Sequence, residues 1–468
     1  MRYIYTILFV LIASTCFGAT YHIDPTVGNG GDGSHTSPYN DWSDLPSMST
    51  GDDVYFKCDT TYQPSSNLSI TWQGTSGDRA VIGAYYLSGG SPVYGISGQR
   101  PKIDGQWTVP TNQCMSSGTE PDSWSDMIDV RDKDYVTVEN LNIYKSGYTG
   151  ILFQGARGTT AQNVGLLINN NIVEQSVMGG ISVNRSALNY GTISNNVLRL
   201  NNIGHGWLEV PGTSTPCRTA YYPGWPAALT VVNSPNSNTT VSGNQLYNNW
   251  GEGLSITNPC DHPTECVNAG HATVEDNIIF NNARVALYIN RTESNIVRRN
   301  IVAAENDCLQ NAGGELCQAI TTAGGRNWSQ IGIWLNAEVE TGTTEPTKTI
   351  NNQIYNNLII GYFTGFGWGN AQSATTMTGN KVYNNTIIDN YQNLWIGSNL
   401  SDDTTTGAEY RNNLHLCTTG SVCNNVSGTY SWFDTKITAT NNAWSGSIPA
   451  FVGDTIDVIM SANDLVSS

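Results

Sequence analysis

Short runs of alternating apolar and polar residues recur along most of the chain, and we find no amphipathic helical spacing. One recurring segment has a β-branched or apolar residue, two polar residues, an asparagine and a second apolar run. Copies of it read TVENLNI from Thr137, TISNNVL from Thr192, TVEDNII from Thr273 and KVYNNTII from Lys381. Self-similarity of this kind predicts a solenoid, in which each coil packs only on its neighbours.

Aligning the copies produces one column that is almost entirely asparagine, and the spacing within it gives a basic coil of about 23–30 residues. The chain contains 52 asparagines, and the column gives this bias a structural reason. Asparagine tolerates left-handed turn conformations, and its amide can bond to the asparagine one coil away, so we expect a structural ladder. The column consists of Leu141, Asn171, Asn196, Asn244, Asn277, Asn300, Asn357, Asn385, Asn413 and Asn442.

A second strand precedes each copy and has the pattern small, apolar, any residue, apolar. It reads GILF at Gly150, GISV at Gly180, GLSI at Gly253 and ALYI at Ala286. Strand alternation predicts that the apolar residues point inward and that the residue between them points outward. The pattern therefore indicates an all-β parallel solenoid with two or three short strands in each coil.

This pattern resembles the right-handed parallel β-helix proteins of the pectate-lyase-like superfamily. The resemblance implies a right-handed parallel β-helix solenoid of about ten coils with an N-terminal cap. We expect the capping segment and first irregular coils in residues 19–125, the β-helix in 126–446, and a C-terminal tail in 447–468. Either this tail folds across the last coil, or another chain covers it. The resemblance does not identify the reaction, because the same solenoid occurs in lyases, hydrolases, epimerases and adhesins.

Residues 1–18 have the features of a secretory signal peptide. Arg2 supplies the positive charge, residues 7–12 form a short apolar core, and Cys16 and Gly18 provide small residues before the cleavage point. No later apolar run is long enough for a spanning helix. We therefore predict a secreted or periplasmic protein with no membrane partner.

The remaining nine cysteines are better explained by disulfides than by a metal site, because no CxxC or clustered histidine spacing accompanies them. Three pairs lie close enough in sequence to close short loops. One of the other three cysteines (Cys58, Cys114 and Cys217) should be unpaired or bonded to another chain. The predicted disulfides are Cys260–Cys266, Cys308–Cys317 and Cys417–Cys423.

Charge and loop insertions point to the central coils as the functional region. A formal charge of −17, from 21 basic and 38 acidic residues, excludes a nucleic-acid partner. Residues 185–299 are neutral, and inserted loops at 204–225, 258–266 and 303–329 would form the walls of a cleft there. We expect a polysaccharide partner and a monomer or weak oligomer.

Glu252 is the first candidate for a catalytic group. Aligning NNIGHGWLEV with NNWGEGLSIT places His205 opposite Glu252, about 5 Å away if the two coils are neighbours. A carboxylate beside an imidazole raises the histidine pKa, which suits acid–base catalysis. Glu209 is a second candidate carboxylate. Alternatively, Glu252 caps a turn, His205 lies in a loop, and the segment PAALTVVNS from Pro226 is the true strand of that coil.

The candidate substrate-binding residues lie on or beside the same predicted strands. Arg185 and Arg291 follow a strand directly, and an arginine can bind a uronate carboxylate through two hydrogen bonds. Arg284 is a further basic group in this region. Tyr288 and Trp334 occupy outward positions, where aromatic rings can stack on sugars, as does Trp395. The alternatives are solvated strand ends for the arginines and packing beneath loops for the aromatic rings.

No cofactor is required by the sequence, although Ca²⁺ has one candidate position. Asp126, Asp129, Asp132 and Asp134 lie together at the first full coil and could ligate Ca²⁺. The spacing of an EF-hand is absent, and turn carboxylates explain the four residues equally well.

The function these features favour is a polysaccharide lyase that cleaves a uronic-acid-containing glycan by β-elimination, with His205 or Arg291 as base. The alternatives are a glycoside hydrolase with a pair of carboxylates, Glu209 and Glu252, or a glycan-binding or adhesion protein without activity.

Overall fold

The computed structural model describes sixteen segments of the chain. Their residues are 18–107, 126–155, 164–184, 190–202, 226–232, 238–257, 270–305, 322–323, 326–327, 331–338, 348–369, 376–397, 406–417, 424–428, 437–445 and 458–460. Nearly all of the strands in these segments belong to three parallel sheets wound into one solenoid, in which successive coils follow the order sheet 3, sheet 1, sheet 2. The all-β parallel β-helix predicted from the repeat is therefore confirmed.

Sheet 1 contains 14 strands, of which Ser91–Tyr94 pairs antiparallel with the end of its neighbour in a hairpin. The other strands are Thr20–Ile23, Asp53–Lys57, Ala80–Ser88, Val136–Glu139, Leu167–Asn169, Thr192–Ser194, Thr240–Ser242, Thr273–Glu275, Ile296–Arg298, Gln353–Tyr355, Lys381–Tyr383, Ala408–Arg411 and Ile437–Thr440.

Sheet 2 contains 13 strands and includes part of the predicted C-terminal tail. Its strands are Thr61–Tyr62, Lys102–Asp104, Asn142–Tyr144, Ile172–Glu174, Val197–Arg199, Gln245–Tyr247, Ile278–Phe280, Ile301–Ala303, Leu358–Ile360, Thr386–Ile388, Leu414–Leu416, Ala443–Ser445 and Val458–Met460. The last of them pairs with Ala443–Ser445, so this part of the tail adds a strand to the final coil.

Sheet 3 contains 11 strands. They are Leu68–Ile70, Ile128–Arg131, Ile151–Gln154, Ile181–Asn184, Ala227–Val232, Glu252–Thr257, Val285–Asn290, Ile331–Asn336, Thr364–Gly369, Gln392–Ile396 and Asn424–Gly428. Outside the three sheets, the structure describes a short 3-10 helix, Trp42–Asp44, and a small antiparallel pair, Thr322–Ala323 with Arg326–Asn327. Within the described segments, no helix is long and apolar enough to cross a membrane.

The strands before residue 126 show where the solenoid begins. Thr20–Ile23 pairs with Asp53–Lys57, which pairs with Ala80–Ser88, and that strand continues to Val136–Glu139. Much of the segment expected to contain the cap and irregular coils is thus in register with the β-helix.

The core lies inside the three sheets and follows the predicted alternation. Ile181 and Val183 are fully buried, whereas Ser182 between them faces outward and is only partly covered. Larger side chains, including Phe366, Trp368 and Trp444, fill the interior toward the C-terminal coils. Burial of these apolar side chains, at about 1.5–3 kcal/mol each, is the main stabilising contribution.

The asparagine ladder is confirmed, and it lies at the turn between sheets 1 and 2. Asn277 Nδ2 donates to Asn300 Oδ1 at 2.9 Å, and Asn300 Nδ2 donates to Asn357 Oδ1 at 3.0 Å. Each member also accepts the backbone N–H of its counterpart in the preceding coil, as Asn300 does from Asn277. The left-handed conformation that we expected for the column belongs instead to the residue before it, such as Asn356 with φ 56°.

Two of the cysteines have described side chains. Cys58 is buried and free, and its Sγ contacts the carbonyl oxygen of Gly95 at 3.5 Å. Cys417 is disulfide-bonded, but its partner lies outside the described residues, so the Cys417–Cys423 pairing stays a prediction. Cys114, Cys217, Cys260, Cys266, Cys308 and Cys317 also lie outside them.

Candidate functional site

A groove of about 520 Å³ runs along the outward face of sheet 3. Its lining comes from five successive strands and includes Asp126, Thr149, Ser182, Thr230 and Ser255. Strand pairing sets these side chains side by side, because Ser182 is in register with Thr230, and Thr230 with Ser255. The groove therefore runs parallel to the axis of the β-helix.

At the start of the strand Glu252–Thr257 the alternation of side chains is interrupted, and this places Glu252 beside Ser255, which lines the end of the groove. A Cβ added at Gly253 would meet Ile279 Cγ2 at 2.7 Å, so this position faces the core, and Leu254 next to it is also buried in the core. Two consecutive inward positions leave Glu252 and Ser255 on the same outward face. The Ser255 hydroxyl donates a hydrogen bond to the Glu252 carboxyl group.

Glu252 is only 4% exposed, and its pKa is raised well above the usual value for a glutamate. Burial is the main cause because it penalises the charged carboxylate, and the nearby negative charge of Glu338 adds to the effect. The hydrogen bond from Ser255 opposes the shift without cancelling it. Glu252 therefore holds a proton to higher pH than an exposed glutamate does.

Tyr288 lies on the next strand, in register with Ser255, and is 6% exposed. Its hydroxyl accepts a hydrogen bond from Asn336 Nδ2 at 3.1 Å and donates one to the carboxylate of Glu338. Burial raises the Tyr288 pKa, and the charges of Glu338 and Glu252 raise it further. The phenol thus stays protonated and lies within electrostatic reach of both carboxyl groups.

Hydrogen bonds with two asparagines hold Glu338 in place. Asn336 Nδ2 also donates to Glu338 Oε1 at 3.1 Å, and the backbone N–H of Glu338 donates to Asn290 Oδ1 at 2.9 Å. Three adjacent coils therefore bring together what we call the Glu252 cluster: Glu252, Ser255, Tyr288, Asn336 and Glu338.

Asp126 lies at the opposite end of the groove and is 8% exposed. Burial raises its pKa to about 6, although Thr149 donates to it through its hydroxyl and through its backbone N–H at 3.2 Å. Arg131 lies beside it, with one guanidinium nitrogen 3.7 Å from Asp126 Oδ2 and its Nε 2.8 Å from Asp129 Oδ1. Asp126 is thus a second buried carboxyl group in the groove, next to a charged pair.

The four candidate Ca²⁺ ligands do not form one ligand set. Asp129 pairs with Arg131, and Asp134 Oδ1 accepts the backbone N–H of Val164 at 2.8 Å. Asp132 adopts a left-handed turn conformation with φ 53°. In the described part of the chain, no three His, Cys, Asp or Glu side chains are grouped so that they could hold a metal ion.

The predicted register of His205 is wrong. The residue in register with Glu252 is Ala227, on the strand Ala227–Val232, so the segment from Pro226 is the true strand of that coil. His205, Glu209 and Arg185 lie outside the described residues, as do most of the three inserted loops.

The other predicted residues lie on either side of Tyr288. Arg284 precedes the strand Val285–Asn290 at the Glu252 end, where its backbone N–H donates to the Gly251 carbonyl at 3.1 Å. Arg291 follows the far end of this strand, and its backbone N–H donates to Thr349 Oγ1 at 2.8 Å. The structure therefore brings Tyr288 to Glu252 and leaves the two arginines at opposite ends of one strand.

The sequence analysis did not identify Asn336 and Glu338. A signal was present, because SVN before Arg185, YIN before Arg291 and WLN before Ala337 end in the same residue. Strand pairing places Asn290 opposite Asn336, so aligning the strand ends would have placed Glu338 just beyond the outward asparagine.

Residues 126–324 match the protein-family model for the right-handed β-helix region. A search of curated proteins gave no match. Among solved structures, the chain is similar to pectate lyase Pel9A, with 14% identity, a TM-score of 0.50, and coverage of 91% of this chain and 80% of that one.

Two other solved structures are similar at lower scores. One is the catalytic unit of a GH87 α-1,3-glucanase from Streptomyces thermodiastaticus strain HF3-3, with 12% identity, a TM-score of 0.48, and coverage of 90% and 67%. The other is a mannuronic acid-specific family 6 polysaccharide lyase from human gut microbiota, with 14% identity, a TM-score of 0.45, and coverage of 88% and 87%. With the sheet topology and the family match, the similarity to pectate lyase Pel9A establishes that the chain has the right-handed, pectate-lyase-like parallel β-helix fold.

Proposed function

We propose that the protein is a secreted glycoside hydrolase that cleaves a polysaccharide bound along the outward face of sheet 3. The observation that supports this most directly is Glu252, a buried carboxyl group with a raised pKa that lies beside Ser255, a residue of the groove lining, and within electrostatic reach of Glu338. A raised pKa on one of two acidic groups is the usual signature of a general acid paired with a carboxylate.

In this mechanism Glu252 donates its proton to the glycosidic oxygen as the bond to the anomeric carbon breaks. Glu338 acts as the partner carboxylate that assists the attack of water, so that water is added across the bond. Tyr288 and Asn336 both donate hydrogen bonds to Glu338 and thereby hold its carboxylate in a fixed orientation. The carboxylate pair is thus Glu252 with Glu338, in place of the Glu209 that the sequence suggested.

The same geometry is less suited to β-elimination by the described residues. A lyase needs a base at C5, and Tyr288 is a poor base because its raised pKa keeps the phenol protonated while it donates a hydrogen bond to Glu338. It also needs a group that neutralises the uronate, but Arg131, which lines the groove, is paired with Asp129. The net charge of −17 repels a polyanionic substrate from the molecule at large, although the span 185–299 is neutral.

A polysaccharide lyase remains the second candidate because Arg185 and His205 lie outside the described residues. The test is to incubate the purified protein with neutral and uronic-acid polysaccharides and to record both reducing ends and absorbance near 235 nm. New reducing ends without that absorbance support a hydrolase, whereas an unsaturated product supports the lyase. Binding without either product supports a glycan-binding protein.

The substitution Glu252→Gln should reduce turnover by about 10²-fold or more, because an amide cannot donate the proton. Activity of the unmodified protein should fall as pH rises through the raised pKa of Glu252, since the acid must be protonated. Glu409→Gln is the matched control, because Glu409 is paired with Lys381 and Arg411 on sheet 1, away from the groove. If Glu252→Gln retains turnover within twofold of the control, Glu252 is not the catalytic acid.

A further inference from the structure

A column of outward side chains continues along sheet 3 beyond the Glu252 cluster. Strand pairing sets Tyr288 beside Trp334, Trp334 beside Gly367, and Gly367 beside Trp395. Trp334 and Trp395 are both partly exposed, in contrast to the fully buried Trp368 on the inward face. The column therefore changes from polar in the groove to aromatic on the other side of Glu252.

The geometry of the two indole rings depends on glycines in the intervening strand. A Cβ added at Gly367 would meet Trp334 Cδ1 at 2.9 Å, and one at Gly369 would meet Trp395 Cζ3 at 2.5 Å. Each ring therefore leans across the strand Thr364–Gly369 and rests against its backbone, in space that any larger residue would occupy. The ring centroids are 6.2 Å apart, and the Trp334 ring lies 5.2 Å from that of Tyr288.

These features lie in one row along sheet 3, parallel to the solenoid axis. The polar groove extends over five strands from Asp126 to Ser255, and the buried Tyr288 and the partly exposed indole rings of Trp334 and Trp395 follow it on later strands. A pyranose ring spans roughly one strand spacing, ~4.8 Å, so successive sugars can follow successive coils. The weakly polar C–H face of a pyranose suits stacking on an indole ring.

We propose that Trp334 and Trp395 form a sugar-stacking subsite on the side of Glu252 opposite the groove, so that a polysaccharide lies along the β-helix axis with its cleaved bond over Glu252. The subsite recognises uncharged pyranose units, and the groove binds the other part of the chain. This inference rests on the proposed function for the position of the cleaved bond, while sugar binding at the indole rings stands on its own.

The experiment measures binding by the Glu252→Gln protein, so that no probe is consumed. The probes are di- to octasaccharides of xylan, β-glucan, α-1,3-glucan and polygalacturonate, followed by calorimetry and by tryptophan fluorescence. With the best-binding long oligosaccharide, Trp334→Ala and Trp395→Ala should each weaken affinity about three- to tenfold, while Trp395→Tyr retains most of it. Disaccharide binding in the groove should change little.

Tyr383→Ala is the matched control, because Tyr383 stacks on Tyr355 at 4.8 Å on sheet 1 and should leave binding unchanged. Thermal unfolding of each variant verifies that it is folded. Equal affinities for the Trp variants and the control overturn the subsite, as does failure of every probe to bind.

Activity measurements separate this inference from the proposed function. In the otherwise unmodified protein, Trp395→Ala should raise KM for long chains and leave kcat within twofold, because it removes binding common to the ground and transition states. If the Trp variants lose affinity but Glu252→Gln keeps full turnover, the subsite stands and the proposed catalytic group is wrong. If Glu252→Gln abolishes turnover and the Trp variants bind normally, the reverse holds.

Discussion

At the scale of single residues, burial shifts the pKa values of two groups in opposite directions. For Glu252 it disfavours the negative form and raises the pKa, whereas for His415 it disfavours the positive form and lowers the pKa to about 3. His415 is fully buried on sheet 2, where it bonds to the Tyr410 hydroxyl at 2.9 Å and stacks on Trp444 at 3.8 Å. A neutral imidazole therefore occupies the core position that the aliphatic side chain of Ile387, its register partner, occupies in the preceding coil.

His415 should make the protein sensitive to acid. Its folded pKa lies below the unfolded value of 6.5, so the unfolded chain binds more protons as pH falls from 6.5 toward 3. The resulting loss of stability should reach roughly 2–3 kcal/mol two pH units below 6.5. The double variant Tyr410→Phe/His415→Leu should show a smaller fall in Tm between pH 6.5 and 4.5.

His35→Gln serves as the control for this measurement, because His35 is only partly buried near the N-terminus. Parallel Tm curves for the double variant and the unmodified protein over this pH range would show that His415 does not contribute to acid sensitivity.

Sequence analysis identified Tyr288 by strand alternation, which points it outward as the structure has it. It selected Glu252 through the alignment with His205, since strict alternation fails at the two consecutive inward positions Gly253 and Leu254. It did not select Glu338, because this residue lies beyond the end of its strand, where only an alignment of the strand-ending asparagines would have located it. Its position depends on the hydrogen bond from the Glu338 backbone to Asn290, which is a contact between coils.

At the scale of the repeating element, adjacent asparagines at one turn have separate roles. Asn357 is 2% exposed and bonds to the ladder members before and after it, Asn300 and Asn385. Its Nδ2 also donates to the Val297 carbonyl at 3.0 Å. Asn356 is exposed and supplies the left-handed residue of the turn. One asparagine thus satisfies buried polar groups, and its neighbour lets the chain turn from sheet 1 into sheet 2.

These roles predict opposite outcomes for two neighbouring substitutions. Asn357→Leu should destabilise the protein by about 3 kcal/mol or more, because it leaves several buried donors and acceptors without partners at ~1–3 kcal/mol each. Asn356→Gly should change stability by no more than a few tenths of a kcal/mol, because glycine adopts a positive φ readily. Chemical denaturation followed by far-UV circular dichroism measures both. Equal destabilisation of the two variants would contradict the division of roles.

The repeat allowed the ladder to be predicted because the same position recurs in every aligned copy. The register of the coil before Glu252 was predicted incorrectly, since the alignment paired Glu252 with His205, whereas its register partner is Ala227. The structure places Ala227 opposite Glu252, where the small side chain leaves room at the end of the groove. Local similarity was misleading there because an insertion separates the turn from the strand of its coil.

At the scale of the whole molecule, the solenoid allows a long chain to bury its apolar side chains without forming a large spherical core. Each strand pairs with strands one coil away, so the sheets extend as far as coils are added, and the outward face of sheet 3 becomes a long surface. The same architecture exposes a row of unpaired backbone groups wherever the coils end. In sheet 2 the strand Val458–Met460 covers the edge of Ala443–Ser445, with Ile459 in register with Trp444.

Deleting residues 448–468 should therefore cause aggregation rather than only a local loss of structure. The deletion leaves the backbone N–H and C=O groups on this edge of Ala443–Ser445 unpaired, and such an edge pairs readily with other chains. Light scattering and size-exclusion chromatography should detect large oligomers at concentrations where the full chain does not form them. Deleting only residues 462–468 is the control, because it retains Val458–Met460 and should behave like the full chain. A soluble monomer after the longer deletion would mean that the solenoid end is protected by its own short strands, since an edge of three residues offers few backbone groups to another chain.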